Sequence, residues 1–361
     1  MSKNYFYPFI LFYSLALLYL AWTTPISPHE AKVFYEESGI VHILMHSGYE
    51  LIGGFIGIRF YFLTIGLITI FLYYRVTWIY LDRESDRYLA TTIYVLLPGM
   101  ITALVLANIS VLVIPLVLLF LLSYDKKLIG LQAVLMLGLF LIHDAAIIFF
   151  MALFIYALIN KERALSIISG VFILLSILVD QGVEIGGRPS GHFIDIFGLY
   201  AALFSPLLFI YFFYTLYRIL LREEKNILWY ISFAALVASL ILSIRQKISL
   251  TDFAPYVIIS VVLMLDSYNR TVRVRLPAYR KKYKFGFTIV VATLILVSSS
   301  IILHKLLFIF VDDPKIHFAS RLYQPYWLAQ ELRSKSINCY DTEKRDTAYQ
   351  LKFYNIEKCT E

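Results

Sequence analysis

Ionisable side chains are sparse in this chain and gather in a few short clusters. The first is Ser27-Pro28-His29-Glu30, the polar segment that ends the first apolar run. Just beyond a membrane helix, the carboxylate of Glu30 can serve as a general base that takes a proton from a substrate hydroxyl. His29 beside it is a candidate substrate contact. The same residues also read as a helix start, with Ser27 as N-cap, Pro28 at the first helical position and Glu30 closing a capping box. Cap and base are compatible, since a fixed helix start holds the carboxylate in one place. His42, His46 and Glu50 follow at four-residue spacing. On a helix they share a face and could reach a metal ion, although the polar stripe of an interfacial helix carries the same pattern.

The later clusters are smaller. His143-Asp144 offers ligands or a base, or only the charged end of a helical hairpin at the water boundary. Between Asp180 and Asp195, glycines alternate with Glu184, Arg188 and His192. Arg188 could hold a phosphate in its planar fork with His192 nearby, and a solvated loop with internal ion pairs is the other reading. Arg245 and Lys247, with Asp252, place two cations where a lipid phosphate can reach them. Arg59 and Lys305 lie at the ends of apolar segments, where a long cationic side chain reaches toward water or a phosphate. The two cysteines, Cys339 and Cys359, both fall in the C-terminal segment. In an oxidising exterior a disulfide between them would contribute about 3 kcal/mol by closing a loop of about 20 residues. The sequence holds no phosphate-cradling glycine loop and no nucleophile elbow, which argues against an ATP-driven pump or a soluble-type hydrolase.

What positions these groups is a membrane. Hydrophobic residues make up 60% of the 361 and charged residues 16%, far too apolar for a soluble domain. Apolar segments of roughly 20 residues cross a bilayer as helices. Such segments, several of them short, lie near 5–22, 57–74, 88–106, 109–123, 128–142, 145–160, 164–180, 199–217, 227–244, 254–267 and 286–310. The chain therefore reads as an all-α polytopic membrane protein with about 11 transmembrane helices. Thr23-Thr24-Pro25 lacks a small-x-small cleavage site, so the first segment reads as an uncleaved helix. Residues 1–310 form the transmembrane domain, with a long first outer loop over 23–56. Residues 311–361 form a small extracytoplasmic α/β segment, with helices over 321–333 and 348–354 and a strand over 337–340.

Charge orients the bundle. With the N-terminus inside, Arg75, Arg83, Arg87, Lys126, Lys127 and the basic run from Arg270 to Lys284 all face the cytoplasm, as the positive-inside rule requires. The C-terminus and Glu30 then lie outside. The net charge of +7 matches anionic membrane lipids and calls for no nucleic acid.

Several of these segments together resemble a known family. After the first span come Pro28-His29-Glu30-Ala31 and Tyr35, then Gly57-Ile58-Arg59-Phe60 at the second span, Leu97-Pro98 in the third, and Leu351-Lys352-Phe353-Tyr354 in the tail. This pattern is similar to the type C glycosyltransferases (GT-C), in the branch containing the protein O-mannosyltransferases, the aminoarabinose lipid A transferases and the RgtA-like transferases. Those families usually carry Asp where this chain has His29, and often a second Asp where it has Asn108.

The resemblance implies an enzyme of the cytoplasmic (inner) membrane. It would move a sugar from a polyprenyl-phosphate donor to a lipid, glycan or protein acceptor on the outer face, with inversion. Glu30 carries over as the general base, and Arg59, Arg188, Arg245 and Lys305 are the cations available for the departing phosphate. His29, His192 and Asp144 are candidate substrate contacts, and a divalent metal ion is left open. A different class remains beside it: a non-catalytic protein of the same architecture, such as a lipid-linked-sugar flippase or an accessory subunit.

Overall fold

The computed structural model describes residues 2–182, 186, 191–310, 313 and 316–359. The described chain is almost wholly helical. Four helices are long and apolar enough to cross a membrane: Lys3–Thr23, Gly54–Tyr80, Ile227–Arg245 and Pro277–Ile302. With the apolar composition, this makes the chain an integral membrane protein.

Two further spans arise only if bent pairs are each counted as one. Glu84–Val95 and Pro98–Val105 meet at 62°, and Phe193–Phe204 and Pro206–Arg222 at 106°. Both breaks precede a proline, which cannot donate the hydrogen bond that would continue the helix. At the second, Ser205 takes a left-handed backbone with φ 82°. The remaining apolar stretches form the short helices Ser110–Asp125, Ile129–Ile142, Ala146–Ile159 and Arg163–Leu178. Among the described residues, length and composition thus support four spans, or six with the bent pairs, of the eleven expected. Tight turns and prolines cut the apolar runs into pieces shorter than the roughly 20 residues that a perpendicular span needs.

The chain divides into two compact units. One comprises Met1–Ile10, Ile65–Ile101 and Ile109–Ser298. Its interior is aromatic: the Tyr73 and Tyr94 rings stack at 3.7 Å, and Phe149 stacks on Tyr256 at 5.7 Å. Ser232 donates to the carbonyl of Tyr256 at 2.7 Å, which fixes the backbone beneath that ring.

The other unit comprises Leu11–Thr64, Thr102–Asn108 and Ser299–Glu361. The loop over 23–56 folds as two helices, Pro28–Tyr35 and Ile40–Ile52. Gly53 and Gly54, both at positive φ (75° and 63°), turn the chain into Gly54–Tyr80. The helices flanking this turn approach closely at Gly48 and Gly57, where a Cβ on Gly48 would meet the Gly57 carbonyl oxygen at 2.3 Å. The C-terminal segment belongs to this same unit, with helices Ser320–Ser334 and Arg345–Phe353. The expected strand over 337–340 is only an isolated parallel bridge between Cys339 and Glu357, so among the described residues the segment is helical rather than α/β. Buried Gln350 secures it, donating to the carbonyls of Ile26 at 2.8 Å and Arg321 at 3.2 Å.

Candidate functional site

The Pro28–Tyr35 helix begins with the capping box that its sequence prescribes. Ser27 Oγ accepts from the Glu30 amide at 3.1 Å, and Glu30 Oε2 accepts from the Ser27 amide at 2.9 Å. The carboxylate does more than cap. Arg59 donates to it twice, Nε to Oε1 and Nη2 to Oε2, each at 2.7 Å. The Ala107 amide adds a further bond to Oε1 at 2.9 Å. A carboxylate has about four lone-pair positions, and here each oxygen accepts two bonds. Glu30 is 1% exposed and Arg59 0%.

Arg59 is equally saturated. Nη1 donates to the carbonyls of Ala21 at 3.1 Å and Thr24 at 2.6 Å, and Nη2 to that of Pro25 at 2.9 Å. With the two bonds to Glu30, all five guanidinium N–H groups are used. Ala21 lies in the last turn of the Lys3–Thr23 helix, where carbonyls have no partners within the helix, and Thr24 and Pro25 follow directly after it. Burial alone would raise the Glu30 pKa, but the Arg59 charge, its hydrogen bonds and the two backbone amides together hold the carboxyl below its ordinary value.

Glu30 therefore has neither a free lone pair nor an exposed edge, which is not the geometry expected of a general base. Arg59, expected at a donor phosphate, has no donor left for one. The pairing was legible in principle, since two opposite charges at the edge of an apolar medium should find each other. Ala107 was not, because a backbone amide leaves no mark in the sequence.

Neighbouring groups differ. His29, next to the clamp on the same helix, is exposed. Lys305 is half-buried, donates to the Thr23 carbonyl at 3.2 Å and lies 4.9 Å from the centre of the Tyr19 ring. An ammonium carries three donors, so one backbone bond leaves capacity for an anion. His304, before it, is held by Tyr323 Oη at 2.8 Å and the Ile301 carbonyl at 2.9 Å.

The metal reading of His42, His46 and Glu50 gives way to a structural one. His42 Nδ1 faces the Val33 carbonyl at 3.0 Å, and His46 Nε2 faces that of Phe34 at 2.9 Å. One nitrogen of each ring is thus engaged in holding the Pro28–Tyr35 helix. His46 also stacks on Phe34 at 3.9 Å, and Glu50 is exposed. No metal-binding cluster exists among the described residues.

No protein-family model matches this chain, and no curated protein matches it by sequence. Solved structures do. ArnT from Cupriavidus metallidurans in the apo state superposes with a TM-score of 0.55 at 12% identity, covering 95% of this chain and 83% of that one. ArnT from the same organism bound to undecaprenyl phosphate gives 0.61 at 12% identity, over 99% of this chain and 85% of that one. The fold is that of the type C glycosyltransferases, in its ArnT-like form.

Within this GT-C fold, the remaining candidates lie in the other unit. His192 Nδ1 approaches Asp195 Oδ2 at 3.3 Å, a local pair at the start of Phe193–Phe204. Arg188 lies outside the described residues, as does Glu184. Arg245 ends its helix, exposed. Asp144, also exposed, lines a cavity of about 760 Å³ together with His143 and Asp252. His143 Nδ1 meets Tyr256 Oη at 2.9 Å; burial pushes its imidazole down to about 4. In the C-terminal segment, Cys339 and Cys359 form a disulfide with Cα atoms 4.9 Å apart.

Proposed function

We propose that this protein is a membrane glycosyltransferase that moves a sugar from a polyprenyl-phosphate donor to an acceptor on the outer face of the inner membrane. The observation that carries the reading is the ArnT-like fold over almost the whole chain, with a rigid helix start between its first two long helices and an exposed imidazole beside it. That one of the similar ArnT structures holds undecaprenyl phosphate supports a lipid-phosphate donor. By the positive-inside rule the basic run from Arg270 to Lys284, which opens Pro277–Ile302, is cytoplasmic, and this supports C-terminus out. N-terminus in then requires an odd number of spans, with a short apolar helix crossing besides those long enough by length alone.

In this reading Glu30 is a positioning residue. Its bonds to Arg59, Ser27 and Ala107 fix three separated backbone segments and the start of the Pro28–Tyr35 helix, so that His29 is presented from a rigid support. His29 accepts the acceptor hydroxyl's proton on a ring nitrogen as that oxygen attacks the anomeric carbon. The glycosidic bond forms, the bond from carbon to phosphate oxygen breaks, and the polyprenyl phosphate departs with the electron pair. Lys305 faces the developing phosphate charge, which a preorganised cation stabilises most in the transition state.

Proteoliposomes carrying a radiolabelled polyprenyl-phosphate sugar test this against transport. Label appearing in an added outer-face glycan or lipid acceptor supports the enzyme. Label that crosses the bilayer still attached to its polyprenyl phosphate, with no product, refutes the proposal in favour of a flippase.

A further inference from the structure

The cavity in the unit that includes Ile109–Ser298 is built by three turns. These are the hairpin at His143-Asp144, the turn after Arg163–Leu178 at Asp180, and the segment from Lys247 to Asp252. Two of them are tied together, the Gly186 amide donating to Gln246 Oε1 at 2.6 Å. The Ser249 and Thr251 hydroxyls meet at 2.5 Å, which orders the third. Asp180 enters its turn through a left-handed backbone, φ 55°.

His143 marks this space as a binding site rather than a surface dimple. It is 5% exposed and lines the cavity, with Nδ1 committed to Tyr256, yet its Nε2 has no hydrogen-bond partner. A buried ring nitrogen left unpaired is destabilising, and a ligand hydroxyl would relieve it. Carboxylates of Asp144, Asp180 and Asp252 supply acceptors around it, and Lys247 supplies donors. Ile142 and Ile248 give the same cavity an apolar side. Burial lifts the Asp252 carboxyl to about 6, with the Thr251 hydroxyl opposing and the Asp144 charge adding.

Hydroxyl-matching acceptors on one side and an aliphatic face on the other suit a sugar ring, which is polar at its edge and apolar on its C–H faces. Among the described residues of the lining, three carboxyl groups against one ammonium disfavour an anion. The geometry points to a carbohydrate subsite at His143, Asp144, Asp180 and Asp252 that takes a sugar residue carrying no negative charge. This rests on the reading of the protein as a sugar transferase and adds to it the class of glycan the enzyme accepts. Neither the donor's phosphate nor a phosphorylated or uronic acid residue would occupy this space.

Saturation-transfer NMR on the full protein in lipid nanodiscs provides the test, with a panel of neutral methyl glycosides, the matching sugar 1-phosphates and methyl uronides. At least one neutral glycoside is expected to bind, with the 1-phosphate and uronide at least tenfold weaker. Asp144→Asn, at an exposed position where folding is not at stake, and Asp252→Asn should each weaken binding several-fold, and together by tenfold or more. His143→Phe, which keeps the ring volume and removes both nitrogens, should do the same. Absence of binding by every neutral glycoside, equal binding of the anionic sugars, or unchanged binding in the Asn variants would overturn the assignment. Transfer assays on the two Asn variants separate the sources: a raised KM for the acceptor alone assigns the subsite to the acceptor glycan, and a raised KM for the donor alone to the donor sugar. Binding without any transfer by the wild type would remove the transferase reading and leave the subsite. Transfer with both KM values unchanged in the Asn variants would remove the subsite and leave the transferase.

Discussion

Replacing Arg59 with Met removes five hydrogen bonds at once and keeps the side-chain volume. Three of those bonds go to the carbonyls of Ala21, Thr24 and Pro25, and two hold Glu30. Both side chains are almost fully buried, so water cannot replace what is lost. Breaking a buried ion pair by removing one partner costs about 3–5 kcal/mol. The orphaned carbonyls would add about 1–3 kcal/mol each were they to stay dry; relaxation toward the water boundary should recover most of that. The expected loss is therefore about 4 kcal/mol, roughly a thousandfold in the folding equilibrium. Reversible unfolding in mixed detergent micelles measures it. A cycle with Glu30→Gln should show strong coupling, on the order of 2 kcal/mol or more, because the two residues share the same bonds. A cost below about 1 kcal/mol for Arg59→Met, in the range of a surface pair, would refute the clamp, as would additive effects of the two substitutions.

Other consequences follow from the same coordinates. The Glu30 carboxyl is held below its ordinary value, so its stabilising contribution is full above about pH 4.3, the unfolded value. That contribution is lost as pH falls through the lower folded value, so wild type should lose stability in that acid window while Glu30→Gln stays flat. Gly48→Ala places a Cβ 2.3 Å from the Gly57 carbonyl oxygen and should cost about 1–3 kcal/mol as the two helices are pushed apart; the same unfolding assay reads it. Reducing the bond between Cys339 and Cys359, which closes a separation of 20 residues, should cost about 3 kcal/mol. Limited proteolysis should then release the end of the chain sooner than in the oxidised protein.

Much of the local structure was legible because it depends on adjacent residues. The capping box at Ser27-Pro28-His29-Glu30 formed as written, and the helices near 321–333 and 348–354 formed close to their expected bounds. The disulfide could also be anticipated, from two cysteines in a segment expected to lie outside. What could not be read depends on partners distant along the chain. Nothing near Glu30 announces that Ala107 will satisfy it, or that Arg59 will spend every donor inward rather than on a phosphate. His42 and His46 share a helical face as their spacing required, yet one nitrogen of each serves a backbone carbonyl, of Val33 and of Phe34, and Glu50 is exposed. The span count is only partly supported for a different reason: hydropathy marks apolar segments, while Pro98 and Pro206 decide whether a segment is one straight helix. Likewise the value of His143 lay in what surrounds it, a cavity and an unpaired nitrogen, which adjacency to Asp144 alone could not reveal.

The central claim is that proton removal belongs to the exposed His29 and that Glu30 only holds its support. Single-turnover transfer from a labelled polyprenyl-phosphate sugar, compared between wild type and His29→Ala, tests it most directly. Loss of a general base lowers the rate about 10²–10⁴-fold, and a drop of at least a hundredfold with unchanged unfolding stability is predicted. Transfer by His29→Ala at the wild-type rate would contradict the account.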